Sequence, residues 1–193
     1  MTAKPSVLLF SALAALTLAF TVGPTTAQAT SSLDDVPDLQ LAYGDGDAAH
    51  SPGLAADGQL RVYWFWSAHS PCSKNAEPSI EALQNAHLDV EVIVVHSNAD
   101  QSASDAEDAG EERDFSFAVY RDEGAQLAIA LNATMTPEVV VVDDSQIIYR
   151  GRPISISRRG TQSFVEEAVV AWKSSAEPDT DSRRPTGCVI RRP

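Results

Sequence analysis

Apolar residues fall along this chain in short blocks, separated by polar and often acidic stretches. Residues 59–66 (QLRVYWFW) and 90–95 (VEVIVV) are β-branched and aromatic and of strand length, and predict two buried strands. Between them, residues 70–86 turn helical. Ile80, Leu83 and Ala86 recur at three-residue steps with polar residues between, and Pro78 inside this helix should remove one hydrogen bond and bend the axis. The acidic stretch 97–114 predicts a solvated helix with Ala103, Ala106 and Ala109 inward; 115–120 is a short strand or extended turn, and 124–131 a small helix. Residues 139–142 and 146–149 read as strands joined by Asp143-Asp144-Ser145, a hairpin signal. A last helix covers 161–176, with Phe164, Ala168 and Trp172 four apart. Parallel strands need helical crossovers, which the first half supplies, so the expected fold class is α/β: a central mixed β-sheet with helices on both faces.

The two ends have a different character. Residues 1–29 combine Lys4 in a basic head, an apolar run at 7–22 and a small-residue segment ending in Ala27-Gln28-Ala29, the pattern of a secretory signal peptide. The run is shorter than the roughly 20 residues of a membrane span, which makes an uncleaved anchor the weaker alternative. Cleavage after Ala29 leaves 164 residues, enough for one domain with its own core. Residues 30–58 read as a leader with one weak strand near 39–43, residues 59–176 as the folded domain, and 177–193 as a polar tail with four arginines.

Composition narrows the partners. A formal charge of −13 argues against nucleic acid and anionic membranes. The chain has two cysteines, Cys72 and Cys188, and its signal segment points to an oxidising compartment, periplasmic or extracellular.

Two segments resemble a known family. The first is WFWSAHSPC at 64–72, running on to EPSIEAL at 77–83; it is similar to the strand, active-site turn and kinked helix of the thioredoxin-like superfamily. The likeness is greatest to its exported redoxin (alkyl hydroperoxide reductase/thiol-specific antioxidant-like) branch. The second is MTPEVVVVD at 135–143 followed by IYRG at 148–151; it resembles that superfamily's loop in which a cis-proline faces the active-site cysteine. The resemblance covers 59–176 and implies a thioredoxin-like fold. It also implies that Thr136 and Pro137 form a loop that pairs with a partner's backbone, with a cis bond between them. Counting back from Pro78, the family's Cys-x-x-Cys would fall on Ser70 and Ser73, with Cys72 between. Other members resemble Cys-Pro-Cys here with a Gly-Cys-x-Ile tail. On that comparison Ser70-Pro71-Cys72 is the motif with its first cysteine replaced, and Gly187-Cys188-Val189-Ile190 is the tail. This second match accounts for both cysteines. With serine at position 70, a peroxiredoxin-type peroxidase is not expected, because a hydroxyl does not replace a thiolate as peroxide nucleophile.

The residues themselves allow thiol chemistry. Ser70 is a good N-cap and Pro71 suits the first helical position. Cys72 then falls in the first turn, where free N–H groups and the helix dipole favour negative charge by about 0.3–1 kcal/mol, and therefore favour thiolate. Protonated His69 would push the same way. Cys188 lies 116 residues further on, and a bridge to Cys72 would be either a structural staple or a switched pair in which Cys188 resolves mixed disulfides. The leading expectation is an exported thiol–disulfide oxidoreductase acting on protein thiols or disulfides and needing no organic cofactor. The alternatives are a copper-handling thioredoxin-like metallochaperone, with His69, Cys72 and Cys188 as soft ligands, and a catalytically inactive thioredoxin-like binding module. Trp64, Phe65 and Trp66 are read as strand packing, and His96 as a capping or surface residue.

Overall fold

Strand β3 (Leu60–Trp66) explains the architecture, because neither of its faces meets water. Val62, Trp64 and Trp66 pack into one apolar cluster while Tyr63 and Phe65 pack into another on the opposite side. A strand covered on both faces has no reason to alternate polar with apolar, which is why it reads as an unbroken hydrophobic block. The computed structural model describes residue 33, residues 35–176 and residues 184–193. The signal segment and its cleavage site lie outside the described residues.

In chain order the remaining elements are β1 (Leu39–Tyr43), β2 (Ala49–His50), α1 (Pro71–Ala86), β4 (Val90–His96), α2 (Ala103–Arg113), β5 (Val119–Arg121), α3 (Gln126–Ala130), β6 (Met135–Thr136), β7 (Glu138–Val142), β8 (Ile147–Gly151), β9 (Ile154–Ser157), β10 (Gly160–Ser163), α4 (Phe164–Lys173) and β11 (Cys188–Val189). Seven strands make the main sheet in the order β2-β1-β5-β4-β3-β7-β8. β3, β4 and β5 run parallel, connected through α1 and α2, while β7 and β8 add an antiparallel hairpin next to β3. Ile80 and Leu83 of α1, Ala106 of α2 and Phe164 and Val169 of α4 cover one face; Leu127 of α3, Leu33 and Ile190 cover the other. The expected thioredoxin-like α/β fold, a mixed central sheet with helices on both faces, is what forms.

Several local details differ from expectation. The strand at 39–43 is hydrogen-bonded to β5 within the main sheet and carries β2 on its outer side, so the sheet draws on residues before 59. Gly110 of α2 lets that strand approach, since a Cβ there would overlap the Tyr43 ring. Residues 160–163 are not helical: they pair with 154–157 as a second hairpin, and α4 starts only at Phe164, capped by Ser163. The helical spacing of Phe164, Ala168 and Trp172 was local information; the turn at Gly160, with φ +120, instead folds 160–163 back onto β9, and the helix waits for the Ser163 cap. His96 is fully buried rather than a surface or capping residue.

Candidate active site

The turn after β3 is held by hydroxyls. Ser70 is the N-cap of α1, and its hydroxyl accepts from the Ser73 N–H at 3.2 Å and donates to the Thr136 carbonyl at 3.3 Å. Ser73 in turn accepts from the Ser67 N–H at 3.2 Å. Both serines are buried. The two positions onto which the ungapped Cys-x-x-Cys alignment falls thus carry side chains committed to local hydrogen bonds. Pro71 opens the helix as expected, and Cys72 follows it in the first turn as an exposed free thiol.

Opposite this turn lies β6, and the Thr136–Pro137 bond is cis. Glu138 organises the loop. Its buried carboxylate accepts from the N–H groups of Thr134 at 2.8 Å and Met135 at 3.1 Å. Burial pushes its pKa up, and those two N–H bonds pull it part of the way back. Nothing in the strand-like pattern EVVVV marked this residue, because its role depends on the reversal of the chain at Pro137.

The C-terminal segment returns to the same place. Cys188 pairs with Thr136 and Val189 with Met135 in an antiparallel ladder. Cys188 is a second exposed, free thiol. The two thiols open into different clefts on either side of the Ser70–Thr136 contact. Cys72 shares a cleft of about 250 Å³ with Asn75, Pro137, Arg152, Ile154, Ile156 and Thr186. Cys188 shares a smaller one, about 160 Å³, with His69, Ser70, Asn98, Gln101 and Arg191. The structure thus brings Cys72, Ser70, Thr136, Pro137 and the Cys188 strand to one locus, and places His69 on the Cys188 side.

Polar side chains brace the floor of this locus. Glu77 accepts from Trp66 Nε1 at 2.9 Å and from Arg113 Nη1 at 2.8 Å, and Arg113 Nη2 also donates to the Ala68 carbonyl in the turn. Arg113 lies 5.6 Å over the Trp66 ring as well. His96 accepts from Arg121 at Nδ1, 2.9 Å, so its proton sits on Nε2 and is donated to Gln101 Oε1 at 3.0 Å. Gln101 accepts from Ser67 too, at 3.1 Å. Burial, and next to it the Arg121 charge, hold the His96 pKa below its usual value, against the opposing pull of the Gln101 bond. His69 faces Asp105 at 3.4 Å on the surface, a contact of little energetic weight. Among the described residues no group of three His, Cys, Asp or Glu side chains is placed to hold a metal ion, and no helix is long and apolar enough to cross a membrane.

Arg113, Glu77, Gln101 and Arg152 were not singled out from the sequence. Gln101 lies just before α2 and Arg113 ends it, Arg152 joins β8 to β9 and Glu77 lies within α1, and only their tertiary partners distinguish them from surface residues.

Comparison with known proteins agrees with this fold. Solved structures with the same arrangement include a hypothetical protein of Sinorhizobium meliloti 1021 (TM-score 0.66, 16% identity, 83% of this chain and 92% of that one). Another is an uncharacterized conserved protein of Geobacillus kaustophilus (TM-score 0.65, 22% identity, 82% and 90% covered). A third is dsbF of MTB, solved in mixed oxidized and reduced forms (TM-score 0.55, 19% identity, 73% and 96% covered). At these identities the likeness establishes the fold. No curated protein sequence matches. The redoxin family model matches residues 31–168, most of the chain, including β3, the Cys72 turn and the cis-proline loop. This chain belongs to the redoxin family, within the thioredoxin-like superfamily.

Proposed function

We propose that this protein is an exported thiol–disulfide oxidoreductase in which Cys72 is the attacking thiol and Cys188 the resolving one. The observation that carries the reading is the placement of Cys72: an exposed thiol in the first turn of α1, in a cleft shared with cis-Pro137. The neighbour dsbF was solved in oxidized and reduced forms, which supports redox chemistry on this frame. The Cys72 thiolate attacks one sulfur of a partner disulfide; a new S–S bond forms to Cys72 and the partner's other sulfur leaves as thiolate. Cys188 thiolate then attacks the Cys72 sulfur, forming the Cys72–Cys188 disulfide and releasing the second partner sulfur. The partner gains two electrons, and an external dithiol returns the protein to its reduced state. Protein thiols and disulfides are the substrate class. Thr136 and Pro137 contact the partner, while Ser70, Pro71 and His69 shape the turn. Export rests on the signal pattern of residues 1–29, and intact-mass analysis of secreted protein should show a chain beginning at Thr30.

Disulfide exchange by purified mature protein, followed with a chromogenic disulfide and by trapping of mixed disulfides, tests the mechanism. Cys72→Ser should abolish exchange, and Cys188→Ser should accumulate the Cys72 mixed disulfide. Retention of exchange in Cys72→Ser would remove the proposal. It would then favour a binding module, a reading to which the hydrogen-bonded serines at positions 70 and 73 lend support.

A further inference from the structure

The segment from Gly187 to Arg192 is fastened across the site by contacts that have little in common with a passive tail. Besides the Cys188–Thr136 ladder, the Ile190 N–H donates to the Thr134 carbonyl at 2.9 Å, and the Ile190 side chain is buried among Phe65, Val95 and Leu131. Arg191 is gripped on both sides of its peptide: its N–H donates to Asn98 Oδ1 at 2.9 Å and its carbonyl accepts from the Ala99 N–H at 2.7 Å. Arg192 reaches the Ala133 carbonyl at 2.8 Å. Gly187 makes the approach possible, since with φ +150 a Cβ built there would overlap the Thr136 carbonyl oxygen. The segment is a strap from the cis-proline loop to the loop between β4 and α2.

What the strap covers gives it significance. Among the described residues, β6 has β11 as its only strand partner. With the strap lifted, Met135–Thr136 would be an unpaired strand edge next to Pro137 and the Cys72 cleft. Such an edge pairs readily with another extended chain. The Cys72 cleft itself stays open beside the strap.

Building on the proposed exchange chemistry, we infer that the strap is an internal occupant of the partner-binding edge and selects substrates by size. Small disulfides reach Cys72 with the strap in place; an extended protein segment pairs with β6 only by displacing it. The strap is suited to displacement: it has a two-residue ladder and one buried apolar side chain, Ile190, while Cys188 and Val189 are exposed. Displacement by a partner also frees Cys188, the resolving thiol, when a mixed disulfide forms.

Two chromogenic probes with the same leaving group separate the cases: the symmetric small disulfide of thionitrobenzoate, and an extended ten-residue peptide whose cysteine carries thionitrobenzoate as a mixed disulfide. Measurements are made in a Cys188→Ser background, so that thionitrobenzoate release reports Cys72 alone. Gly187→Ala and Ile190→Asp each unseat the strap, one by collision at Thr136 and the other by loss of the buried anchor. Both should raise the peptide rate by about tenfold, the gain expected if the open state is about a tenth populated, and leave the small-disulfide rate within about twofold. Equal changes for both probes, or none, would overturn the inference. A readout without thiol chemistry keeps the two proposals apart. A fluorescent peptide of residues 184–193 with the Cys188→Ser change should bind the Ile190→Asp protein and not the wild type. If Cys72→Ser leaves release unchanged but this binding difference appears, the exchange reading fails and the strap stands. If neither protein binds the peptide, the strap inference fails whatever the rates show.

Discussion

The Cys72 cleft mixes Pro137, Pro153, Ile154 and Ile156 with the polar residues Asn75, Arg152, Ser155 and Thr186. The Cys188 cleft is lined by Ser67, His69, Asn98, Asp100, Gln101 and Arg191, with Val189 its one aliphatic residue. Both clefts share one wall, the turn that begins α1, yet different partners complete them. β9 supplies Ile154, Ser155 and Ile156 to the first cleft, and the β4–α2 loop with the C-terminal strap completes the second. Two thiols on one chain thereby acquire different surroundings. The proline and isoleucine side chains beside Cys72 offer a partner apolar surface to bury, whereas Gln101 and Asn98 in the Cys188 cleft are already engaged in internal hydrogen bonds. That difference in neighbours supports Cys72 as the thiol that meets the partner.

The largest test of this division compares the two cysteines. Loss of Cys72 should reduce exchange by at least about a hundredfold, as expected for an essential nucleophile. Loss of Cys188 should leave the first step and block the second, with mass spectrometry showing a Cys72 adduct. Equal losses in the first step would erase the distinction between the clefts.

Next in size is the brace beneath the shared wall. Arg113→Ala leaves the Glu77 carboxylate buried with only Trp66 as partner and frees the Ala68 carbonyl. Chemical denaturation should show a loss of about 3 kcal/mol, in the range for breaking a buried pair. A change under about 0.5 kcal/mol would mean that the brace behaves as an exposed ion pair.

Ser70→Ala removes the N-cap acceptor and the bond to Thr136 together. The expected destabilisation is about 1 kcal/mol, typical of a lost cap, and the rate at Cys72 should change with it because both clefts hinge on that contact. Stability lost with an unaltered rate would show that the turn's geometry does not depend on the Ser70 hydroxyl.

The smallest effect concerns pH and the polar cleft. The folded-state pKa of His96 lies below the ordinary value of 6.5, first because of burial. As pH falls below about 6.5, the unfolded chain takes up a proton that folded His96 refuses, so stability falls with acidification. That loss is complete once the pH is below the folded pKa, and above about 6.5 the contribution is constant. His50, also lowered chiefly by burial, adds in the same direction. His96→Asn should therefore shrink, without abolishing, the difference in melting temperature between pH 7.5 and pH 5; an unchanged difference would assign the acid sensitivity elsewhere.

Much of the frame was legible in local pattern. β3, β4 and the β7–β8 hairpin appear where unbroken β-branched and aromatic runs put them, and α1 begins at Pro71 behind its Ser70 cap. Less legible were short strands whose identity comes from their neighbours. β1 has a weak pattern but becomes part of the sheet by pairing with β5, and β10 lies inside a stretch with helical spacing.

By itself, the sequence determined the cap at Ser70 and the first-turn position of Cys72, and its resemblance to the thioredoxin-like superfamily implied the frame and the cis-proline loop. The cap and the helix start follow from residue types and spacings within about one element's length, the range over which hydrogen-bond periodicity and side-chain sterics act. Only the tertiary structure decided that Ser70 bonds to Thr136, 66 residues away, that Arg113 braces the turn across 45 residues, and that the tail is a strap. Cys188 meets Thr136 across 52 residues, and Gly187 is needed there because a carbonyl from a different element occupies the space a side chain would take. No local pattern encodes such a collision, because it exists only once both segments have been brought to the same edge.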